Sequence, residues 1–456
     1  MSQTAQPIAA NSPPAMPTGV RDAWRFSLFN GLSFQIVLGS PMILYAKTLH
    51  ANATVLGIIA GMMPLMVIFQ IPAAQYINRI GYKRFVLAGW GTRTLFTFGM
   101  ALVPLATGWL DATTQLVLLL AMLFGFNLVR GISSCAWLPW ITHLVPENVR
   151  GRYVAVDAAM ANLGSFLTVV VSAMSLGSAP HAWQFAVIFT FSAIMGGISL
   201  LYLNRVPDVA ITPEIRSSSE PVPWLEILRH PPFRKLLNFA MVWALAYGGF
   251  AAFTVAFLKT ETGLAEGKIL FVTSVSFLGG LSSLWLLGHR LDHTGSKPIL
   301  SLSLVAWLLI LIGWIAVAGG VVPAHLPLIL GLQFFMGLFT ALVGMATSRL
   351  AMATIPAMGR NHFFVLYSVF ASVSLGLAPV GWGLLIDLIG DAQGRFAGIQ
   401  WNHYTIFYAL VFGVFVVAIF LARKLVEPKA ASIESLLTDI MFESPQRLWL
   451  RVWPRE

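Results

Sequence analysis

The chain has 456 residues, 57% of them hydrophobic and only 10% charged, with a mean hydropathy of +0.78. A soluble domain carries about 25% charged residues, so a soluble enzyme is excluded, and the net charge of +10 is not a nucleic-acid footprint. The single Cys135 rules out an intramolecular disulfide and reads as a small packing residue in an apolar run.

Residues 1–21 form a tail rich in Ala, Pro and Ser, without the basic stretch and short apolar core of a cleaved signal peptide. Twelve apolar runs follow. The first six cover 24–46, 54–77, 85–107, 115–143, 152–178 and 182–205. A Pro- and Ser-rich linker spans 206–235, with a short surface helix near Trp224–Leu228. The second six cover 236–259, 267–288, 298–318, 325–350, 361–389 and 403–423. Each is long enough for a hydrocarbon core about 30 Å thick. The first run, uncleaved, serves as the insertion signal.

With twelve spans both termini share one side. That side collects 21 of the 28 Lys and Arg residues, against Lys47, Lys259, Lys268 and Arg395 opposite. The positive-inside rule makes it the cytoplasmic side of an integral membrane protein, read as one of a bacterial inner membrane. Beyond residue 426, Ile433, Leu436, Leu437, Ile440 and Met441 keep helical spacing, and Arg447, Arg451 and Arg455 alternate with Trp449 and Trp453. This amphipathic C-tail reads as an interfacial segment on the lipid bilayer, with docking of a cytoplasmic protein partner as the sharper alternative.

Two loops repeat. Ala74 to Lys83 and Gly288 to Lys297 align so that Asn78 falls on Asp292, Gly81 on Gly295 and Lys83 on Lys297. Pro146 and Arg150 match Pro356 and Arg360 at nearly the same offset. Repeated loop signals in one order indicate a duplicated bundle, an architecture that usually moves a solute.

Charges within spans are the sharpest single residues, because each costs at least about 2.5–3.5 kcal/mol at the bilayer centre. Arg130 lies about 20 Å along span four from its cytoplasmic end at 1.5 Å per residue. With Asn127, Ser134 and Trp137 it makes one polar, aromatic stripe at helical spacing. Its two readings are a substrate or coupling role and a structural pairing. Asp157, the one acid well inside a span, could carry a coupling proton or pair with a basic neighbour. Arg93 and Arg349 read as residues that snorkel to the cytoplasmic face.

With these loops the chain resembles the major facilitator superfamily over residues 22–425. The family's loop signature, Gly-x-x-x-Asp-Arg-x-Gly-x-Lys/Arg, keeps Gly288, Asp292, Gly295 and Lys297 in the second copy, with His293 in place of Arg. The first copy keeps Arg79, Gly81 and Lys83, with Ala74 for Gly and Asn78 for Asp. The resemblance implies an all-α membrane fold of twelve transmembrane helices in two pseudo-symmetric six-helix bundles. It also implies that the loop charges latch the outward-facing state, Arg150 and Arg360 belonging to the same gating set. The Gly-Pro signature that many antiporters carry in span five does not occur in 152–178.

In that family spans one, four, seven and ten line the cavity. This adds Asn30 and Gln35, Trp243, Tyr247 and Thr254, and Gln333, Thr340 and Thr347 to the candidates. One deep arginine among amides, hydroxyls and aromatics suits a small amphipathic or anionic solute. The nine histidines show no metal-ligand spacing, and no nucleotide-binding loop or nucleophile motif occurs, so no metal, no cofactor and no enzymatic activity are expected. The reading is a secondary transporter working by alternating access, with proton coupling as an option. The rivals are a non-transporting scaffold or sensor of the same fold and a carrier of lipids or pigment precursors.

Overall fold

The protein, seen as a computed structural model, is described over residues 19–209, 224–287, 295–354, 360–425 and 427. Among these, eleven helical stretches are long and apolar enough to cross a membrane. The helix Glu266–Leu287, 22 residues long, stands between the seventh and the next of them and completes twelve. The expected runs are found with small shifts at their ends. Span seven starts earlier, at Pro231, because Pro231 and Pro232 occupy the first turn, where a helix needs no N–H donor. A short helix, Trp224–Arg229, precedes it. Between spans eleven and twelve, Gly394–Phe396 pairs antiparallel with Ile399–Trp401.

Within the first half, span one packs along spans five and six, and span three along four and six. Within the second, span eight packs on ten, span nine on ten and twelve, and span seven on eleven and twelve. The duplication read from the loops has structural counterparts. Gly81 and Gly295 both take positive φ, 89° and 84°, at the turn into spans three and nine. A side chain would strain either turn. Gly131 of span four lies against the Met66 carbonyl of span two, and Gly337 of span ten against the Ser276 carbonyl of span eight, with no room for a Cβ at either.

Span two, expected as one continuous helix, passes through a 3-10 turn at Met66–Phe69, and three further spans are broken outright. Span one divides at Gly39, which is extended, into Val20–Leu38 and Ser40–Thr48, and Pro41 supplies no N–H to bridge the gap. Span seven divides at Gly248 and Gly249 (φ 79°) into Pro231–Tyr247 and Phe250–Thr260. Span four divides at Cys135–Ala136 into Ala112–Ser134 and Trp137–Leu144. The polar stripe through Asn127, Arg130, Ser134 and Trp137 is therefore not one helix face.

The halves meet closely from the face opposite the termini to the middle of the protein. Span two crosses span eleven so closely that a Cβ at Gly57, Gly61 or Gly383 would strike the carbonyl oxygens of Pro379, Gly376 or Ala53. Small residues at a crossing let backbones touch, which supplies van der Waals contact where lipid offers no hydrophobic drive. Span five meets span eight where Gly267 N–H donates to the Gly177 carbonyl, 2.7 Å. Asp387 of span eleven caps the first turn of span two. Its carboxylate accepts from Ala53 N (2.9 Å), Thr54 N (2.7 Å) and Thr54 Oγ1 (2.5 Å). A negative charge at a helix N-terminus satisfies orphan N–H groups and meets the positive end of the dipole. Buried Glu266, in the first turn of span eight, pairs with Lys259 on the same face.

Removing the Asp387 carboxylate should loosen this face by roughly 1 kcal/mol, a modest value because the site is exposed. In a Cys135→Ala background carrying Ala60→Cys on the cavity wall, Asp387→Ala should speed labelling by an impermeant maleimide from the opposite face about fivefold. An unchanged rate would show that the carboxylate does not hold the face shut.

Candidate functional site

A cavity of 620 Å³ lies between the halves, bordered by the breaks in spans one and seven. Ligand sites usually fall between about 300 and 1,000 Å³. The first half contributes Gln35, Ser40 and Asn162 with Ile59, Ala60, Met63 and Pro64. The second contributes Tyr247, Thr273, Ser276, Gln333 and Thr340 with Phe277 and Met336. Among the described residues no charged side chain lines it.

Four of the expected site residues, Gln35, Tyr247, Gln333 and Thr340, thus stand together on one wall-to-wall cavity. Gln35 covers the break, its amide against Gly39. Tyr247 stacks on Trp243, with ring centroids 5.5 Å apart, and turns its hydroxyl toward Thr340. Gln333 is 1% exposed, and its Oε1 has no hydrogen-bond partner. Trp243 itself packs edge-on to Trp307 and Phe415, inside the second bundle. Thr254 is buried beside Tyr408, whose hydroxyl lies 3.3 Å away, and Thr347 donates to its own helix.

The remaining candidates lie inside the first bundle, off the cavity wall. Trp137 packs against Phe26, Trp90 and Trp140. Ser134 donates to the Arg130 carbonyl, 2.6 Å, and Asn127 to the Leu123 carbonyl, 2.9 Å. The Asp157 carboxylate receives hydrogen bonds from the Ser27 hydroxyl and, at 3.4 Å, from the Tyr153 hydroxyl. Asn30, one turn beyond Ser27, accepts from the Arg93 guanidinium. Arg93 lies over the Trp90 ring (4.8 Å to its centroid) and the Phe126 ring (5.8 Å), with Arg130 beside it.

The snorkelling reading of Arg93 is corrected by this geometry. Span three begins at Tyr82, which puts Arg93 about 16 Å into the helix. That is too deep for its side chain to reach the face, so it turns inward and is 4% exposed. Arg349 is half-buried and engaged by a neighbour.

The sequence matches the Major Facilitator Superfamily over residues 26–265, more than half of the chain. The chain belongs to the major facilitator superfamily. Solved structures of this fold agree. A point mutant of the nucleoside transporter NupG superposes with a TM-score of 0.69 at 12% identity, over 90% of this chain and 100% of that one. A D-xylose-proton symporter gives 0.70 at 13%, over 90% and 97%. The xylose transporter XylE from E. coli, in its inward-open conformation, gives 0.66 at 14%, over 92% and 98%. No curated protein matches the chain in sequence. The protein is thus a secondary transporter of the superfamily, not an enzyme.

The superfamily's loop residues are seen in part. Arg79 is exposed and Lys83 half-buried at the Gly81 turn. Lys297 donates through Nζ to the Arg423 carbonyl, 3.1 Å. Glu427, which the sequence reading passed over, caps span nine, accepting from Ser296 N (2.9 Å) and Lys297 N (2.8 Å). Gly288, Asp292 and the C-tail from residue 428 on lie outside the described residues, as do the side chains of Asn78, Arg150 and Arg360.

Asn30→Leu should leave the Arg93 guanidinium buried without its acceptor and lower stability by roughly 2–4 kcal/mol. Adding Arg93→Met should restore most of that loss. A double variant as unstable as both single losses combined would mean the two side chains do not interact.

Proposed function

We propose that this protein carries a small solute across the membrane by alternating access, with the central cavity as the solute site. The observation that carries the reading is the cavity's place. It is built by both halves, it borders the two helix breaks, and the halves close it off on one face through the Gly57, Gly61 and Asp387 contacts. Discontinuous helices at a midplane site are how transporters bring polar backbone to a solute. Parting those contacts while closing the other face would move the site from one side to the other. The moving units would be residues 22–205 and 236–425.

The excess of Lys and Arg on the side of the termini favours a bacterial inner membrane with both termini in the cytoplasm. The similar folds of a nucleoside transporter and a D-xylose-proton symporter make nucleosides and pentoses the first solutes to try.

For energy coupling the reading favours a proton bound at Asp157. Its carboxylate is half-buried and, among the described residues, receives hydroxyl hydrogen bonds and no ion pair, so protonation would break no salt bridge among them. A coupling group and a solute group separate kinetically. In proteoliposomes, Asp157→Asn should keep solute counterflow within about twofold and abolish accumulation driven by an imposed pH gradient. Accumulation that survives the substitution would remove Asp157 from coupling. Loss of both activities would move it to the solute site or to the fold.

A further inference from the structure

We infer that the cavity selects an uncharged solute rich in hydrogen-bond donors, a polyhydroxylated one, and that Gln333 Oε1 takes one of its protons. This rests on the reading of the cavity as the transport site.

The wall chemistry carries the inference. Three hydroxyls of the second half are already spent as donors on their own helices. Thr273 Oγ1 donates to the Leu270 carbonyl (3.0 Å), Ser276 Oγ to the Thr273 carbonyl (2.7 Å) and Thr340 Oγ1 to the Met336 carbonyl (2.7 Å). Each hydroxyl has one proton, so what remains on each is lone pairs, one of Thr340's being taken by the Tyr247 hydroxyl turned toward it. Gln333 lines the same cavity, and its Oε1, closed off at 1% exposure and without a partner, becomes a fourth acceptor once the side chain turns toward a solute. A buried polar atom left unpaired costs the full desolvation of that atom, and a bound donor would remove the cost.

A carboxylate or phosphate would bring further acceptors to this wall. Among the described residues no cation lines the cavity to meet either. Arg130, the expected substrate-site arginine, is not among the lining residues and stands beside Arg93, which Asn30 and aromatic rings hold inside the first bundle. An ammonium would bring donors but would meet no counter-charge either, and an unpaired charge taken out of water costs several kcal/mol. Hydroxyls supply donors without charge. The amides of Gln35 and Asn162 on the facing wall can answer hydroxyl oxygens. The apolar patch of Ile59, Met63, Phe277 and Met336 would cover a sugar's C–H face.

The test uses the full chain in lipid nanodiscs and matched probes. One trio is D-galactose, D-galacturonate and D-galactosamine; one pair is adenosine and its 5′-monophosphate; xylose and xylitol complete the set. Melting-temperature shifts and calorimetric titration read the binding. At least one neutral probe should stabilise the protein, its charged partner binding at least about a hundredfold more weakly. Gln333→Leu should weaken the neutral probe about tenfold, and Thr340→Val, a milder change, severalfold. The unliganded melting temperature of each variant shows whether it has folded, and Thr340→Val keeps the question open to an answer if Gln333→Leu has not. Equal or tighter binding of the uronate, the monophosphate or the amino sugar would overturn the inference. So would silence from every neutral probe, or binding indifferent to both substitutions. Counterflow in proteoliposomes separates this from the transport reading. A neutral probe that binds through Gln333 without crossing would sink transport and leave the selectivity. Flux of a charged probe alone would do the reverse.

Discussion

In hydrocarbon a backbone amide has no water to bond, so each span must satisfy its own N–H and C=O groups through the helix. This chain relaxes that pattern at Gly39 and at Gly248–Gly249, and both places border the cavity. The two breaks sit at corresponding depths of the first span of each half. A break is tolerable only where polar groups or a solute can replace the lost helix bonds. The same constraint explains why Gln35 lies against Gly39 and why the spans off the cavity are continuous or, as in span four, broken inside a packed aromatic cluster.

Closure of the opposite face uses two kinds of contact with different ranges. The glycine crossing of spans two and eleven depends on touching backbones, so a gap of about 1 Å already forfeits up to roughly half of its energy. The Asp387 cap is electrostatic, reaches further and is diluted by solvent. Together they give a face that is firmly shut at contact yet not held by a deep well. A transporter needs this balance, because a conformational equilibrium can be shifted only by the few kcal/mol of differential affinity that a solute or proton provides.

The spans, the duplication and the polar residues Gln35, Tyr247, Gln333 and Thr340 were legible because each announces itself locally, by an apolar run, a turn glycine or a polar side chain in that run. The break signals were also on view, as Gly39-Ser40-Pro41 and Gly248-Gly249, but an apolar run long enough to cross overrides them when only length is weighed. Asp387, Glu427 and the Arg93–Asn30 bond were not legible. Their partners are 334, 131 and 63 residues away, and nothing in the local pattern says which helix end or which amide a charged group will meet. Arg130 marked a real polar interior, but periodicity alone could not tell the bundle's inside from the cavity's wall.

That distinction decides the electrostatics of the site. Two adjacent guanidiniums stand in the first bundle, and among the described residues no carboxylate pairs with Arg93, which makes that part of the interior positive. In low dielectric such a field reaches well beyond contact distance and opposes entry of a cation. The acceptor oxygens on the second half's wall oppose an anion at close range. The long-range and short-range terms thus reject opposite signs, and the solute that meets neither penalty is one that carries no charge.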